Sequence, residues 1–235
     1  PMRQTRALVL LTFNEIEALP KLFDRIPVSA ADEFFAVDGG SKDGTVEYLR
    51  EKGVKVLGQP RRGRGCAFAV ALEAAKSDAL CFYSPDGNED PEDIPRLFAK
   101  LESGGYDLVV ASRMSRDARN EEDSHWWRPR KWVNLAFTFF ANALWNRGVY
   151  LTDTINGLRV IRADSFRRLD CRVDGFVIEY LMSMRAMKLG LRVGEIPTIE
   201  SPRLGGSSTA HSWPTGWEFL RRLVAEAAAG RGFAA

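Results

Sequence analysis

The sequence predicts an α/β protein built on a mainly parallel, doubly wound sheet, and three observations carry that expectation. Short apolar runs recur at Ala7–Leu11, Phe34–Val37, Val54–Leu57, Ala79–Tyr83 and Leu108–Ala111, β-branched or aromatic enough to be strands. Segments of helical periodicity, such as Gly65–Lys76 and Pro91–Leu101, lie between most of them, and a β-α-β-α order favours parallel pairing. Polar clusters follow the first, second and fourth runs directly: TFNE, DGGSKDGT and SPDGNED. Ligands of open α/β sheets gather at the carboxyl ends of the strands, so the three clusters mark one rim.

In chain order, ALVLL is too short for a signal-peptide core and reads as the first strand; Pro1, ahead of Met2, is set aside. Asp43 or Ser41 is placed to cap a helix carrying Val46 and Leu49. Between strands three and four, RRGRG (residues 61–65) is basic and glycine-rich just before a helix. It lacks both the Walker ending and the GxGxxG spacing, so a phosphate loop and a plain surface turn both fit. Asp90-Pro91-Glu92 puts proline and acid at a helix start. From Arg113 to Lys131 a charged stretch with Trp126 and Trp127 predicts a long loop.

The next segment, KWVNLAFTFFANALWNRG, predicts a helix with Asn134, Thr138 and Asn142 every four residues and apolar side chains on its other faces. Two readings fit it: a helix buried in the core, or one lying in a membrane interface flanked by tryptophans and by Arg128, Arg130 and Lys131. GWEFLRRLV, near the C-terminus, is again aromatic on one side and basic on the other. With no internal repeat or low-complexity linker, the expectation is one domain over residues 2–235 with a C-terminal amphipathic helical extension.

Composition narrows the function classes. A formal charge of +2 over 235 residues does not suggest a nucleic-acid binder. Cys66, Cys81 and Cys171 are dispersed and form no CxxC pair, which argues against a zinc site or disulfide framework and for a reducing, cytoplasmic setting. Cys81, inside an apolar run, reads as core. No run of about 18–20 uninterrupted apolar residues is present to span a bilayer.

LLTFNE, AVDGGSKDGT, RRGRG, SPDGNEDPED, ASR, DTINGLRVIR and PRLGGSS occur in this order. The chain thereby resembles the family-2 inverting glycosyltransferases of the GT-A fold, most of all the polyprenyl-phosphate sugar synthases such as dolichyl-phosphate mannose synthase. The resemblance runs from about residue 7 to about residue 223. It implies a nucleotide-sugar half over about 2–113 and an acceptor-side half over about 114–235. Thr12, Phe13, Glu15 and Asp38 would contact the base and ribose, and Arg64 and Ser84 would face the donor. Arg113 and Arg203 would engage the diphosphate or the acceptor's phosphate, a task suited to a permanently charged, two-pronged guanidinium. Asp153 would orient or deprotonate the acceptor. Each of these residues has a plainer reading beside it: Asp38 as a turn residue, Glu15 as first-turn acid, Asp153 as a loop cap, the arginines as solvated surface.

Two departures stand out. Gly39 replaces the family's next aspartate, and Ser84 replaces the first aspartate of its metal-binding triplet. Asp86 and Asn88 remain as implied ligands of Mg²⁺ or Mn²⁺, whose shell phosphate oxygens and water would complete. The implied reaction is metal-dependent, inverting transfer from a UDP- or GDP-sugar to a polyprenyl phosphate, at the inner face of the membrane and with peripheral contact. Transfer to a soluble acceptor is one alternative. A catalytically silent sugar-nucleotide binder is another, prompted by the loss at Ser84.

Overall fold

The computed structural model describes residues 4–120, 123, 126, 128–205 and 212–234. Five strands fall on the apolar runs: β1 (Arg6–Thr12), β2 (Glu33–Asp38), β3 (Lys55–Gly58), β4 (Ala79–Tyr83) and β5 (Leu108–Ser112). Two more, which those runs leave unmarked, are β6 (Arg159–Arg162) and β7 (Val193–Pro197). Among the described residues the sheet order is β3-β2-β1-β4-β6-β5-β7. Pairing is parallel between β1 and β2, β1 and β4, β2 and β3, and β5 and β7. Only β6 is reversed, antiparallel to both β4 and β5. The mainly parallel α/β sheet is therefore borne out.

Alternation along the strands builds a core on each face of the sheet. Val9, Leu11 and Phe82 point to one side, where α3 (Arg64–Ala74), α6 (Ala163–Leu169) and α7 (Ile178–Lys188) bring Phe68, Phe166 and Met182. Phe68 stacks on Phe82 with ring centroids 4.0 Å apart. Leu8, Leu10 and Tyr83 point to the other, covered by Leu19 of α1 (Leu19–Leu22) and by Ile94, Leu97 and Phe98 of α4 (Asp93–Ser103). Cys81 is fully buried there, as a core residue should be, and none of the three cysteines is in a disulfide.

Helix starts differ in detail from the sequence reading. The residue capping α2 (Thr45–Glu51) is Gly44, at φ 100°, a conformation open to glycine. Asp43 acts one position earlier, its Oδ1 accepting the Thr45 N–H at 3.1 Å, and the Ser41 hydroxyl is committed to Asp38. Ahead of α4, Asp90 Oδ1 accepts the Glu92 N–H at 3.1 Å.

The helix expected after the charged loop is α5 (Pro129–Trp145), and its orientation bears on both readings. Its polar stripe faces inward. Thr138 Oγ1 and Thr154 Oγ1 are 2.8 Å apart, Asn142 Nδ2 donates to the Leu151 carbonyl at 2.9 Å, and Asn134 Nδ2 donates to Asp153 Oδ1 at 3.3 Å. Trp132, Val133, Leu135, Phe140 and Leu144 face outward with Phe139, which is 56% exposed. One side of α5 is thus packed on the protein and the other is left exposed, because the polar groups of residues 151–156 give the asparagine–threonine stripe its partners. A third apolar cluster joins Ala141 and Phe137 of α5 to Tyr180 and Leu181 of α7, and to Phe219 and Leu223 of α8 (Ser212–Ala228). On α8 as well, Trp217, Leu220 and Val224 remain exposed. No helix among the described residues is long and apolar enough to cross a membrane. Trp127 lies outside the described residues.

Candidate active site

The turns after β1 and β2 lock together. Asn14, at φ 58°, offers Oδ1 to the Lys42 N–H (2.9 Å), and its own N–H donates to Ser41 Oγ (2.8 Å). The Glu15 N–H donates to Thr45 Oγ1 at 2.8 Å. Asp38 is the keystone of these turns. Its Oδ1 accepts the Gly40 and Ser41 N–H groups, and its Oδ2 accepts the Thr12 and Ser41 hydroxyls, at 2.6–2.9 Å. Asp38 thereby spends its carboxylate on shaping the rim.

Beside that rim lies a cleft of about 860 Å³ at the carboxyl ends of β1, β2 and β4. Thr12, Phe13, Glu15, Arg64, Ser84, Asp86 and Arg203, all expected at the site, line it together; Asp38, Asn88, Arg113 and Asp153 do not. At one end the Phe13 ring lies against Gly39, where a Cβ would come within 3.0 Å of Phe13 Cδ2. Arg62 covers the same ring with its guanidinium 5.6 Å from the centroid. Glycine at position 39 thus leaves room for the Phe13 ring.

At the floor, Arg64 Nη1 donates to Ser84 Oγ at 2.9 Å, and Arg64 Nε is paired with buried Glu179. The Ser84 N–H donates to Glu89 Oε2 at 3.0 Å. Burial pushes the Glu89 carboxyl up to about 7. Burial, and then the charge of Asp86, pushes that of Glu15 up to about 8. Asp86, only 4% exposed, pairs through Oδ2 with Arg203 Nη2 at 3.0 Å. Its Oδ1 accepts the Asn88 N–H at 2.9 Å. Asn88 gives its amide N–H to the Ser201 carbonyl at 2.6 Å, which fixes the amide's orientation.

Behind this floor is a second charged unit. Asp153, fully buried, accepts from Arg113 Nε at 2.8 Å and from the Ile155 and Asn156 N–H groups at 3.1 and 3.0 Å. Arg113 Nη1 also donates to Glu200 Oε1 at 3.0 Å. Burial alone would raise the Asp153 pKa, but Arg113 and the surrounding donors outweigh it and hold the group below its ordinary value. Arg113 and Asn88 border a small polar recess with Glu89, Asn156, Thr198 and Glu200. Sequence reasoning missed Glu200, although it follows β7 on the same rim as the other polar clusters.

Arg159 was missed as well, and it is fully buried. It donates to the carbonyls of Asn156 (3.0 Å) and Glu179 (2.8 Å), which ties the 153–157 turn to the start of α7. Burial pulls its pKa down to about 10.

The donor set suits a hard divalent cation in part. Asp86 presents a carboxylate that already carries a cation, the Arg203 guanidinium. Among the described residues no group of three or more His, Cys, Asp or Glu side chains is placed to hold a metal. A metal here would need oxygen ligands from a bound phosphate and from water, as magnesium and manganese commonly take.

Fold and site together define the class: an α/β protein with a cleft across its strand ends, lined by the guanidinium groups of Arg62, Arg64 and Arg203 and by carboxylates that include Glu15, Asp43 and Asp86. The chain belongs to glycosyl transferase family 2, whose family model matches residues 7–170. It is 30% identical over 216 residues to the undecaprenyl-phosphate mannosyltransferase of Micrococcus luteus, covering 85% of each chain. It is 26% identical over 232 residues to the low-salt glycan biosynthesis hexosyltransferase Agl6 of Haloferax volcanii, covering 95% of this chain and 54% of that one. With the glycosyltransferase AglJ of the same organism it shares 28% identity over 200 residues, 84% of this chain and 63% of AglJ. The chain thus spans between about half and two thirds of the length of these two relatives. Glucosyl-3-phosphoglycerate synthase of Mycobacterium tuberculosis, solved with Mn²⁺, UDP and phosphoglyceric acid, superposes with a TM-score of 0.73 at 20% identity, over 99% of this chain and 80% of that one. That likeness bears out the GT-A-type fold.

Proposed function

We propose that this protein transfers a hexosyl group, with inversion, from a UDP- or GDP-sugar to a polyprenyl phosphate at a membrane surface. The observation that carries the lipid acceptor is the reversed amphipathicity of α5. Its polar stripe is bonded to the turn holding Asp153, and its aromatic face is turned outward beside the exposed apolar residues of α8. Arg130 at the start of α5, next to Arg128 and Lys131 that pair with Asp123, suits an anionic surface. The relationship to the Micrococcus luteus enzyme supports the same reading.

In this reading the nucleobase lies on Phe13 and the diphosphate extends toward Asp86 and Arg64. Asp86, with the Asn88 amide oxygen, would hold Mg²⁺ or Mn²⁺, which supplies Lewis-acid stabilisation of the departing diphosphate. Arg64 and Arg203 add fixed positive charge where negative charge develops, often the largest catalytic term. An acceptor phosphate, with a second pKa of about 6, attacks the anomeric carbon without needing a strong base. Asp153 then acts by holding Arg113 toward the acceptor phosphate. The division into a nucleotide-sugar half and an acceptor-side half belongs to this proposal.

The test is to incubate the protein with labelled UDP- and GDP-sugars, with and without polyprenyl phosphate, a soluble phosphate acceptor, and Mg²⁺ or Mn²⁺. Metal-dependent product in the organic phase is expected. Product on the soluble acceptor alone would overturn the lipid assignment, and nucleotide binding without turnover on any acceptor would overturn transfer. Asp86→Ala should lower metal-dependent turnover by at least about 10²-fold, and undiminished activity in that variant would sink the metal assignment.

A further inference from the structure

We infer that Arg203 is a built-in counter-cation of Asp86, and that it makes divalent-metal binding conditional on the nucleotide diphosphate. This rests on the metal-dependent reading above and adds an order of assembly to it.

The Arg203–Asp86 contact, at 3.0 Å, is held by more than two side chains. The segment that carries Arg203 is stitched to the turn that carries Asp86. The Leu204 N–H donates to the Asp86 carbonyl at 2.9 Å, and the Ser201 N–H to the Asn88 carbonyl at 3.0 Å. The Asn88 side-chain N–H returns a bond to the Ser201 carbonyl at 2.6 Å. Between them Gly87, at φ +90°, lies so close to Leu204 that a Cβ there would be 2.6 Å from Leu204 Cγ. Backbone pairing on both sides of Arg203 thus fixes its position opposite the carboxylate.

The cost of replacing Arg203 follows from what else is near. Two residues before Asp86, Ser84 contributes a hydroxyl that is engaged by Arg64, rather than a second carboxylate. No cluster of three or more His, Cys, Asp or Glu side chains among the described residues could hold the ion in its place. A bare divalent cation therefore meets one carboxylate that is already neutralised. It must break an ion pair and desolvate, and it gains a single anionic ligand in return.

A nucleoside diphosphate changes both sides of that balance. Its oxygens complete the metal's shell, and they give the displaced guanidinium a two-pronged partner. Metal and nucleotide therefore promote each other's binding, and the coupling is the same in either order. Arg203 passes from Asp86 to phosphate as the site fills.

The test measures Mn²⁺ binding directly, from the electron paramagnetic resonance signal of the unbound ion, with no nucleotide and with saturating UDP or GDP. Wild type should bind Mn²⁺ weakly alone and at least about tenfold more tightly with one of the diphosphates, within the usual range of coupling. Arg203→Gln should bind Mn²⁺ alone about tenfold more tightly than wild type, so that the gain from the nucleotide shrinks toward what its oxygens add as metal ligands. Arg203→Lys, which keeps the charge, should return the nucleotide-free affinity toward the wild-type value. Wild type that binds Mn²⁺ with nucleotide, beside an Arg203→Gln variant no better at binding the bare ion, would overturn the counter-cation role and leave metal-dependent transfer standing. An Arg203→Lys variant that behaves like Arg203→Gln would overturn the role of charge. Wild type that takes up no Mn²⁺ with either diphosphate would overturn both readings.

Discussion

Glu15 and Asp153 are both carboxylates of the site, and their surroundings push them in opposite directions. The Glu15 carboxyl is raised from 4.5 to about 8 by burial and by Asp86, with Asp43 adding to the rise and Arg203 and Arg64 opposing it. A raised carboxyl favours the folded protein while it keeps its proton. That contribution is complete below the unfolded value and is lost as pH climbs toward about 8. Ionised Glu15 also adds negative charge to the cleft in which the proposed function places a diphosphate. Affinity for UDP or GDP, measured by titration calorimetry, should therefore fall as pH passes about 8, and Glu15→Gln should flatten that fall. A wild-type profile that stays level would contradict the electrostatic assignment.

Asp153 is held down instead, so its contribution is present at neutral pH and is lost only in acid as the carboxylate protonates. Asp153→Asn should cost about 3–5 kcal/mol in urea unfolding, because it leaves Arg113 buried with one carboxylate fewer. A variant of native stability that has lost turnover would instead point to Asp153 acting on the acceptor. Thr12, Phe13, Glu15, Ser84 and Asp86 were legible because each stands in a polar cluster at a strand end, whereas Arg64 and Arg203 were picked out by the family resemblance. The sequence could not show that Asp38 and Asp153 spend their carboxylates on neighbouring donors. That saturation depends on loops that meet only after folding.

At the scale of elements, α5 is the clearest case of partial legibility. Asn134, Thr138 and Asn142 announce a helix and a polar stripe, but periodicity does not say which side faces the protein. The answer lies in Asp153, Thr154 and Asn156, which are polar and buried, and no spacing within α5 points to them. The two sides should respond differently to substitution. Replacing Phe139 and Phe140 together with serine should abolish sedimentation with anionic vesicles, while stability changes by no more than about 0.5 kcal/mol per site. Retained vesicle binding would remove the argument for a lipid-facing surface. Thr138→Val, on the inner side, should cost about 1–3 kcal/mol by leaving buried polar partners unmatched, and chemical denaturation would show it.

Over the whole molecule, the C-terminal helix is joined to the body by charge as well as by apolar contact. Fully buried Glu226 of α8 accepts from Arg185 Nε at 2.9 Å and from Lys188 Nζ at 2.6 Å, both on α7. Glu226→Ala leaves two buried cations with no carboxylate between them and should cost about 3–5 kcal/mol. Limited proteolysis should then cut within α8 before the sheet opens, and equal resistance in the variant would show that Phe219 and Leu223 suffice. The sequence revealed the five strands whose apolar runs stand alone. It did not reveal β6, whose RVIR carries charge at both ends, or β7, whose buried positions only alternate. With those two strands went the knowledge that the later part of the chain adds strands to the same sheet.

The reversed direction of β6 has a bearing on how this protein can diversify. A parallel strand delivers to the rim the loop that leaves it. β6 delivers the loop that enters it, residues 153–157, while its exit passes at Arg162 straight into α6 at Ala163. Residues inserted before β6 therefore land beside Asp153 and Arg113, whereas residues inserted after it land at the opposite edge. Relatives that differ in acceptor should vary in length ahead of this strand and keep its exit tight.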